Sequence, residues 1–174
     1  PMCCDVSPDG DIIAISYMDT TGVVIKTKIG FFYVNADKGA DYTDSMFAAV
    51  SKQDEIVFKL YFTSKSGLTA VGDRHIMTFS SAGVVESSVE VTNEISAVGL
   101  CGNKIAVVYG DELSDKEGTE PGTVIFVSSG GGISEGCSIG TEPEYAMVSE
   151  GGIVLGDGSS YYGVSSGGKL EWTL

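Results

Sequence analysis

Four aspartates in this 174-residue chain stand where chemistry could gather: Asp19, Asp73, Asp111 and Asp157. Each follows a short apolar run, and three come directly after glycine, as Gly72-Asp73, Gly110-Asp111 and Gly156-Asp157. Carboxylates repeated at matching positions would rim one surface and set up a negative field for a cation or a basic partner. The same dipeptide is also ordinary turn chemistry, because glycine accepts positive φ and aspartate bonds nearby backbone. Asp19, Asp73, Asp111 and Asp157 are therefore the candidate binding residues, with a turn role standing beside the binding role.

Other chemistry finds less support. His75, the single histidine, enters an apolar run at Asp73-Arg74-His75-Ile76-Met77. No Gly-x-Ser-x-Gly elbow accompanies it, so it reads as a structural strand histidine and not as part of a triad. Cys3, Cys4, Cys101 and Cys137 show no Cys-x-x-Cys spacing, and adjacent Cys3 and Cys4 make an awkward disulfide framework. They read as buried or terminal thiols. Asp37, Asp41 and Asp44 share one loop, while Asp111, Glu112, Asp115, Glu117 and Glu120 crowd another. Neither has the Asp-x-Asp-x-Asp-Gly spacing of a calcium loop, so both read as solvated acidic segments. Gly130-Gly131-Gly132 lacks the Lys-Ser/Thr that follows in a phosphate-cradling loop. No catalytic residue, metal or cofactor is expected.

Composition narrows the partners. Asp and Glu number 24 against 10 Lys and Arg, a net charge of −14, and the pI is about 4.2. That argues against DNA, RNA and anionic membrane surfaces, all of which need a basic face. With 43% hydrophobic residues the chain can build a core. No apolar run approaches the ~20 residues of a membrane helix, and no charged-then-apolar leader precedes the first strand. A chain opening on Pro1 reads as a processed or excised segment.

The elements that must position these residues are strands. Asp11–Tyr17, Leu68–Val71, Lys104–Tyr109 and Gly152–Leu155 are near-continuous apolar runs rich in β-branched types, which suits strands covered on both faces. A second strand follows each Asp, and after Asp73, Asp111 and Asp157 comes a serine-glycine turn, Ser80-Ser81-Ala82-Gly83, Ser128-Ser129-Gly130 and Ser165-Ser166-Gly167, which Asn35-Ala36-Asp37-Lys38-Gly39 replaces in the first unit. The third unit carries an acidic insertion, Glu112 to Gly122, at a turn where insertions cost little. The chain thus divides into four units, 5–51, 54–92, 93–141 and 142–174, each with room for four strands. In the second these are Val57–Phe62, Leu68–Val71, His75–Phe79 and Val84–Val91. Thr43–Val50 reads locally as a capped short helix, but its place in the register predicts an outer strand. Four-stranded units at a period near 40–50 residues predict an all-β chain, a single β-propeller of about four blades. The ring either closes at four or is half of a larger one completed by a second copy through exposed blade faces.

Two stretches carry resemblances. Asp5–Tyr17 with Lys26–Phe32 is similar to a bacterial propeller family of unknown function whose members carry an N-terminal membrane helix. That resemblance implies an extracytoplasmic, membrane-tethered parent. Asp157–Trp172, with its Gly168-Lys169-Leu170-Glu171-Trp172 ending, resembles the repeat of quinoprotein propellers. There the motif recurs around the ring, whereas Trp172 is the only tryptophan here. The expectation is a non-catalytic binding module for a protein, peptide or glycan. The alternatives are a propeller enzyme, quinoprotein-like or carbohydrate-active, and a structural self-assembly domain.

Overall fold

The computed structural model describes residues 1–21, 26–34, 55–65, 67–80, 82–113 and 118–174, and the backbone alone of 45–49. Every regular element among them is a strand, and the sixteen strands form four separate four-stranded sheets. Within each sheet the strands lie side by side in chain order and pair antiparallel. This meander is the blade of a β-propeller. The chain divides into two compact units, Pro1–Glu90 and Val91–Leu174, each holding two sheets.

The first sheet comprises β1 (Cys3–Val6), β2 (Ile12–Asp19), β3 (Lys26–Tyr33) and β4 (Ser45–Ala49). Strand β4 resolves the helix-or-strand ambiguity of Thr43–Val50: Lys28 to Phe32 of β3 pair with Ala49 to Ser45. Tertiary pairing overrides local capping chemistry here, as it does for short segments generally. The second sheet comprises β5 (Val57–Phe62), β6 (Gly67–Gly72), β7 (His75–Ser80) and β8 (Val85–Glu90), within a residue or two of the sequence expectation. Ile12, Ala14, Ile29 and Phe31 of the first sheet pack on Val57, Leu60, Phe62, Leu68, Ala70, Met77 and Phe79 of the second. Removing these side chains from water is what holds the two sheets face to face. Polar ties stitch the same contact: Ser16 Oγ donates to the Val57 carbonyl at 3.1 Å, and Phe62 N–H donates to Asp5 Oδ2 at 2.6 Å.

The third sheet comprises β9 (Asn93–Cys101), β10 (Lys104–Glu112), β11 (Thr123–Val127) and β12 (Ile133–Ser138). The fourth comprises β13 (Tyr145–Ser149), β14 (Gly152–Gly156), β15 (Tyr161–Ser165) and β16 (Leu170–Thr173). Their shared core is Cys101, Ala106, Val108, Val124 and Phe126 against Ile153, Leu155 and Val164, with Ala146, Val148 and Tyr162 at its margin. The continuous run in β10 is explained by burial on both faces: Ile105 to Val108 are all fully buried.

The serine-glycine turns are one device used three times. Gly83, Gly131 and Gly168 each donate N–H to the carbonyl three residues earlier, that of Ser80, Ser128 and Ser165. All three glycines have φ between +68° and +83°, a left-handed conformation that costs other residues more. The serine hydroxyl then accepts the following N–H, from Val84, Gly132 and Lys169 respectively. The loop containing Asp37, Asp41 and Asp44 lies outside the described residues, as do Asp115 and Glu117.

Candidate functional site

Each of the four candidate aspartates stands at the C-terminal end of the second strand of its sheet. Asp19 closes β2, Asp73 follows β6, Asp111 is next to last in β10, and Asp157 follows β14. Topological equivalence within the sheets is therefore real, and the local geometry shows what the carboxylates are used for. Asp19 accepts from Thr21 N–H and Oγ1 at 3.0 and 2.6 Å and pairs with Lys28 Nζ at 2.6 Å. The Lys28 bond, helped by Thr21, holds its carboxyl well below the usual carboxylate range. Asp73 Oδ1 accepts Ile56 N–H at 2.8 Å, while its own N–H donates to the Ile56 carbonyl at 3.1 Å. Asp157 Oδ1 accepts Ser159 N–H, Ser159 Oγ and Ser160 N–H, and Oδ2 accepts Tyr162 Oη at 2.7 Å. These bonds, Tyr162 first, depress the Asp157 carboxyl and raise the Tyr162 phenol. Asp111 is exposed. Three of the four carboxylates are thus bonded within their own sheets.

Sequence reasoning missed the buried polar residues that hold these strand ends. Glu55, just ahead of β5, is 3% exposed. Its Oε1 accepts Arg74 N–H at 3.1 Å and His75 N–H at 2.9 Å, and its Oε2 lies 2.7 Å from His75 Nδ1. Its carbonyl accepts the Thr27 hydroxyl from the first sheet. Gly72 is glycine for a steric reason, since a Cβ there would fall 2.1 Å from Glu55 Oε1. His75 is accordingly half of a buried clamp. Asn93 plays the corresponding part in the third sheet. Its amide donates to the carbonyls of Gly110 and Thr119 at 3.1 and 2.9 Å, and its oxygen accepts Thr119 N–H at 2.9 Å. A buried acid or amide at or just before the start of a first strand looks, in sequence, like any loop residue. Among the described residues no group of three or more His, Cys, Asp or Glu is placed to hold a metal ion, and no helix is long and apolar enough to cross a membrane.

The surface that stands out is the face of the fourth sheet turned away from the third. Register sets its rows: Tyr145, Gly156 and Tyr161 align in one, and Met147, Val154, Gly163 and Trp172 in the next. Leu174 extends the first row by exchanging both backbone bonds with Tyr161. Tyr145 and Tyr161 meet edge to face with ring centroids 6.5 Å apart, a favoured aromatic geometry. The Trp172 indole covers Gly163, where a Cβ would lie 2.0–2.4 Å from ring atoms. Tyr145, Met147, Tyr161 and Trp172 remain 41–55% exposed. None of the residues in these rows is charged.

Comparison with known proteins adds the fold and a family. A search of curated proteins finds no match. Among solved structures, the crystal structure of BBS1N in complex with ARL6DN, soaked with lead, is similar at 9% identity with a TM-score of 0.51. The similarity covers 95% of this chain and 55% of that one, so the chain spans about half the length of the protein it resembles. At that identity the likeness speaks to the fold alone, and it agrees with the four-stranded meanders in assigning a β-propeller. Residues 1–173 match DUF5711, a family of unknown function, and the chain belongs to that family.

Proposed function

We propose that this chain is a non-catalytic interaction module that docks through the outer face of its fourth sheet. The observation that carries the reading is the uncharged aromatic surface of Tyr145, Met147, Tyr161 and Trp172. Contiguous exposed apolar patches on soluble domains mark interaction sites, and exposed aromatics concentrate binding energy. An enzyme reading has less to draw on, since His75 is committed to Glu55 and three candidate carboxylates are bonded within their sheets. The four aspartates enter as a secondary contact. Changing Asp19, Asp73, Asp111 and Asp157 together to Asn is expected to weaken a cationic partner while keeping the fold; unchanged binding would confine them to turns. A position outside the cytoplasmic membrane belongs to the same proposal, supported by the resemblance of Asp5–Tyr17 and Lys26–Phe32 to a membrane-tethered propeller family.

The test is site-specific photo-crosslinking in cells that produce the protein, with the photoreactive residue replacing Tyr161 or, as a control, Val84. The expected result is one defined adduct from position 161 and none from 84. No adduct from 161, or the same smear from both, would remove the docking face.

A further inference from the structure

We infer that the occupant of the fourth sheet's outer face is the same face of a second copy of this chain, in a reversible two-fold dimer. This inference rests on the docking-face reading above and names its partner. Charge is the first argument. The chain carries −14 overall, so a randomly chosen surface on two copies would repel. The rows holding Tyr145, Met147, Val154, Tyr161 and Trp172 contain no charged side chain, and this is where two such acidic chains can meet. The same absence disfavours a cationic peptide, whose ammonium or guanidinium groups would find no side-chain carboxylate in these rows and would pay desolvation unpaired.

Shape is the second argument. The face is one side of a twisted sheet about 17 Å long, from five residues per strand at ~3.3 Å, and about 19 Å wide, from four strands at ~4.8 Å. Sheets pack on sheets at a spacing of ~10 Å with interdigitated side chains, and a propeller blade is built to be covered by another blade. Within this chain the opposite side of the same sheet already packs that way, through Ile153, Leu155 and Val164 against the third sheet. A two-fold pairing is self-complementary by construction and needs only one such patch per copy. Size is the third. The plan area is about 300 Å² per copy and about 600 Å² for two, below the ~1,000 Å² total of a stable specific interface. The association is therefore weak and concentration-dependent.

Sedimentation velocity over a concentration series tests this with the whole chain. For wild type the weight-average mass is expected to climb from the monomer toward twice that value. Tyr161→Asp and, independently, Met147→Asp should hold it at the monomer throughout, with unchanged circular dichroism, while Val84→Asp should dimerise like wild type. A wild type that stays monomeric to the highest concentration overturns the inference. So does a dimer indifferent to both face substitutions. If the chain is monomeric but the Tyr161 crosslink goes to another protein, the self-pairing fails and the docking face stands.

Discussion

The Glu55 carboxylate and the His75 ring form a buried pair, Oε2 2.7 Å from Nδ1, that joins the approach to β5 with the first residue of β7. The other oxygen of Glu55 takes the N–H groups of Arg74 and His75, so one side chain satisfies the turn after β6. Glu55→Ala removes the acceptor for three donors in a dry site. At about 1–3 kcal/mol for each buried group left unpaired, the expected loss is at least about 3 kcal/mol in urea unfolding. Glu55→Gln keeps the backbone acceptor and should lose clearly less. A Glu55→Ala midpoint equal to wild type would show that the clamp contributes nothing.

Thr69 supplies the opposite case. It is fully buried, and among the described residues its hydroxyl has no hydrogen-bond partner. Burying an unpaired hydroxyl costs about 1–3 kcal/mol on mutational scales. Thr69→Val keeps the shape and the β-branch while removing the polar atom, so the variant should be more stable by about 1 kcal/mol. A variant less stable than wild type would mean that the hydroxyl is satisfied.

The contact of Trp172 with Gly163 can be read optically, because Trp172 is the single tryptophan. In Gly163→Ala the new methyl would occupy the place of the indole, so the ring must lift off the sheet. Overpacking of this kind costs about 1–3 kcal/mol. The expected signature is an emission maximum moved to longer wavelength, with more effective quenching by iodide. An unmoved spectrum would place the indole elsewhere.

Acid should act on the fourth sheet through Asp157. Its carboxyl is depressed in the folded chain by the Tyr162 hydroxyl and the Ser159 and Ser160 bonds. A depressed carboxyl adds stability that is fully present above the unfolded value, near 3.8, and is lost as pH falls below it toward the folded one. Asp157→Asn should therefore flatten the decline in stability between about pH 4 and pH 2. Tyr162→Phe should flatten it too, since the hydroxyl is the leading cause. Parallel acid limbs in all three proteins would remove Asp157 as a contributor.

Much of this architecture was legible in the chain, and the reasons are local. The β10 run Ile105–Val108 announces two-sided burial by having no polar alternation, and the serine-glycine turns announce themselves because positive φ leaves few residue choices. Asp73 and Asp157 were recognisable as a repeat because their turns are repeated. What stayed hidden depends on register. Tyr145, Met147 and Tyr161 share a face through the registers of β13, β14 and β15, and Trp172 joins them only because β15 and β16 pair with a shift between Gly163 and Val164. Glu55 and Asn93 were invisible for the related reason that burial of a polar side chain is decided by the neighbouring turn. The segment Ser45–Ala49 was legible from its place in the repeat, which predicts an outer strand against the local capping signal, and it pairs with β3 as that strand.

Asn93 offers the sharpest local test, because its partners sit at the two ends of the acidic insertion. The Nδ2 bonds to Gly110 and Thr119 and the Oδ1 bonds from Thr119 fasten both sides of that segment to the start of β9. Asn93 is fully buried, so Asn93→Ala leaves those groups unpaired and loosens the hold on Gly110 and Thr119. Losing ~1.4 kcal/mol of local closure raises the open population tenfold. A glutamate-specific protease should then cut after Glu112 at least about ten times faster in the variant, while cleavage after Glu135, on β12, changes only as far as global stability does. Asn93→Asp keeps the acceptor for Thr119 but loses both donations, and should fall between the two. Equal rates at Glu112 in all three proteins would mean that this strand end is held by something other than Asn93.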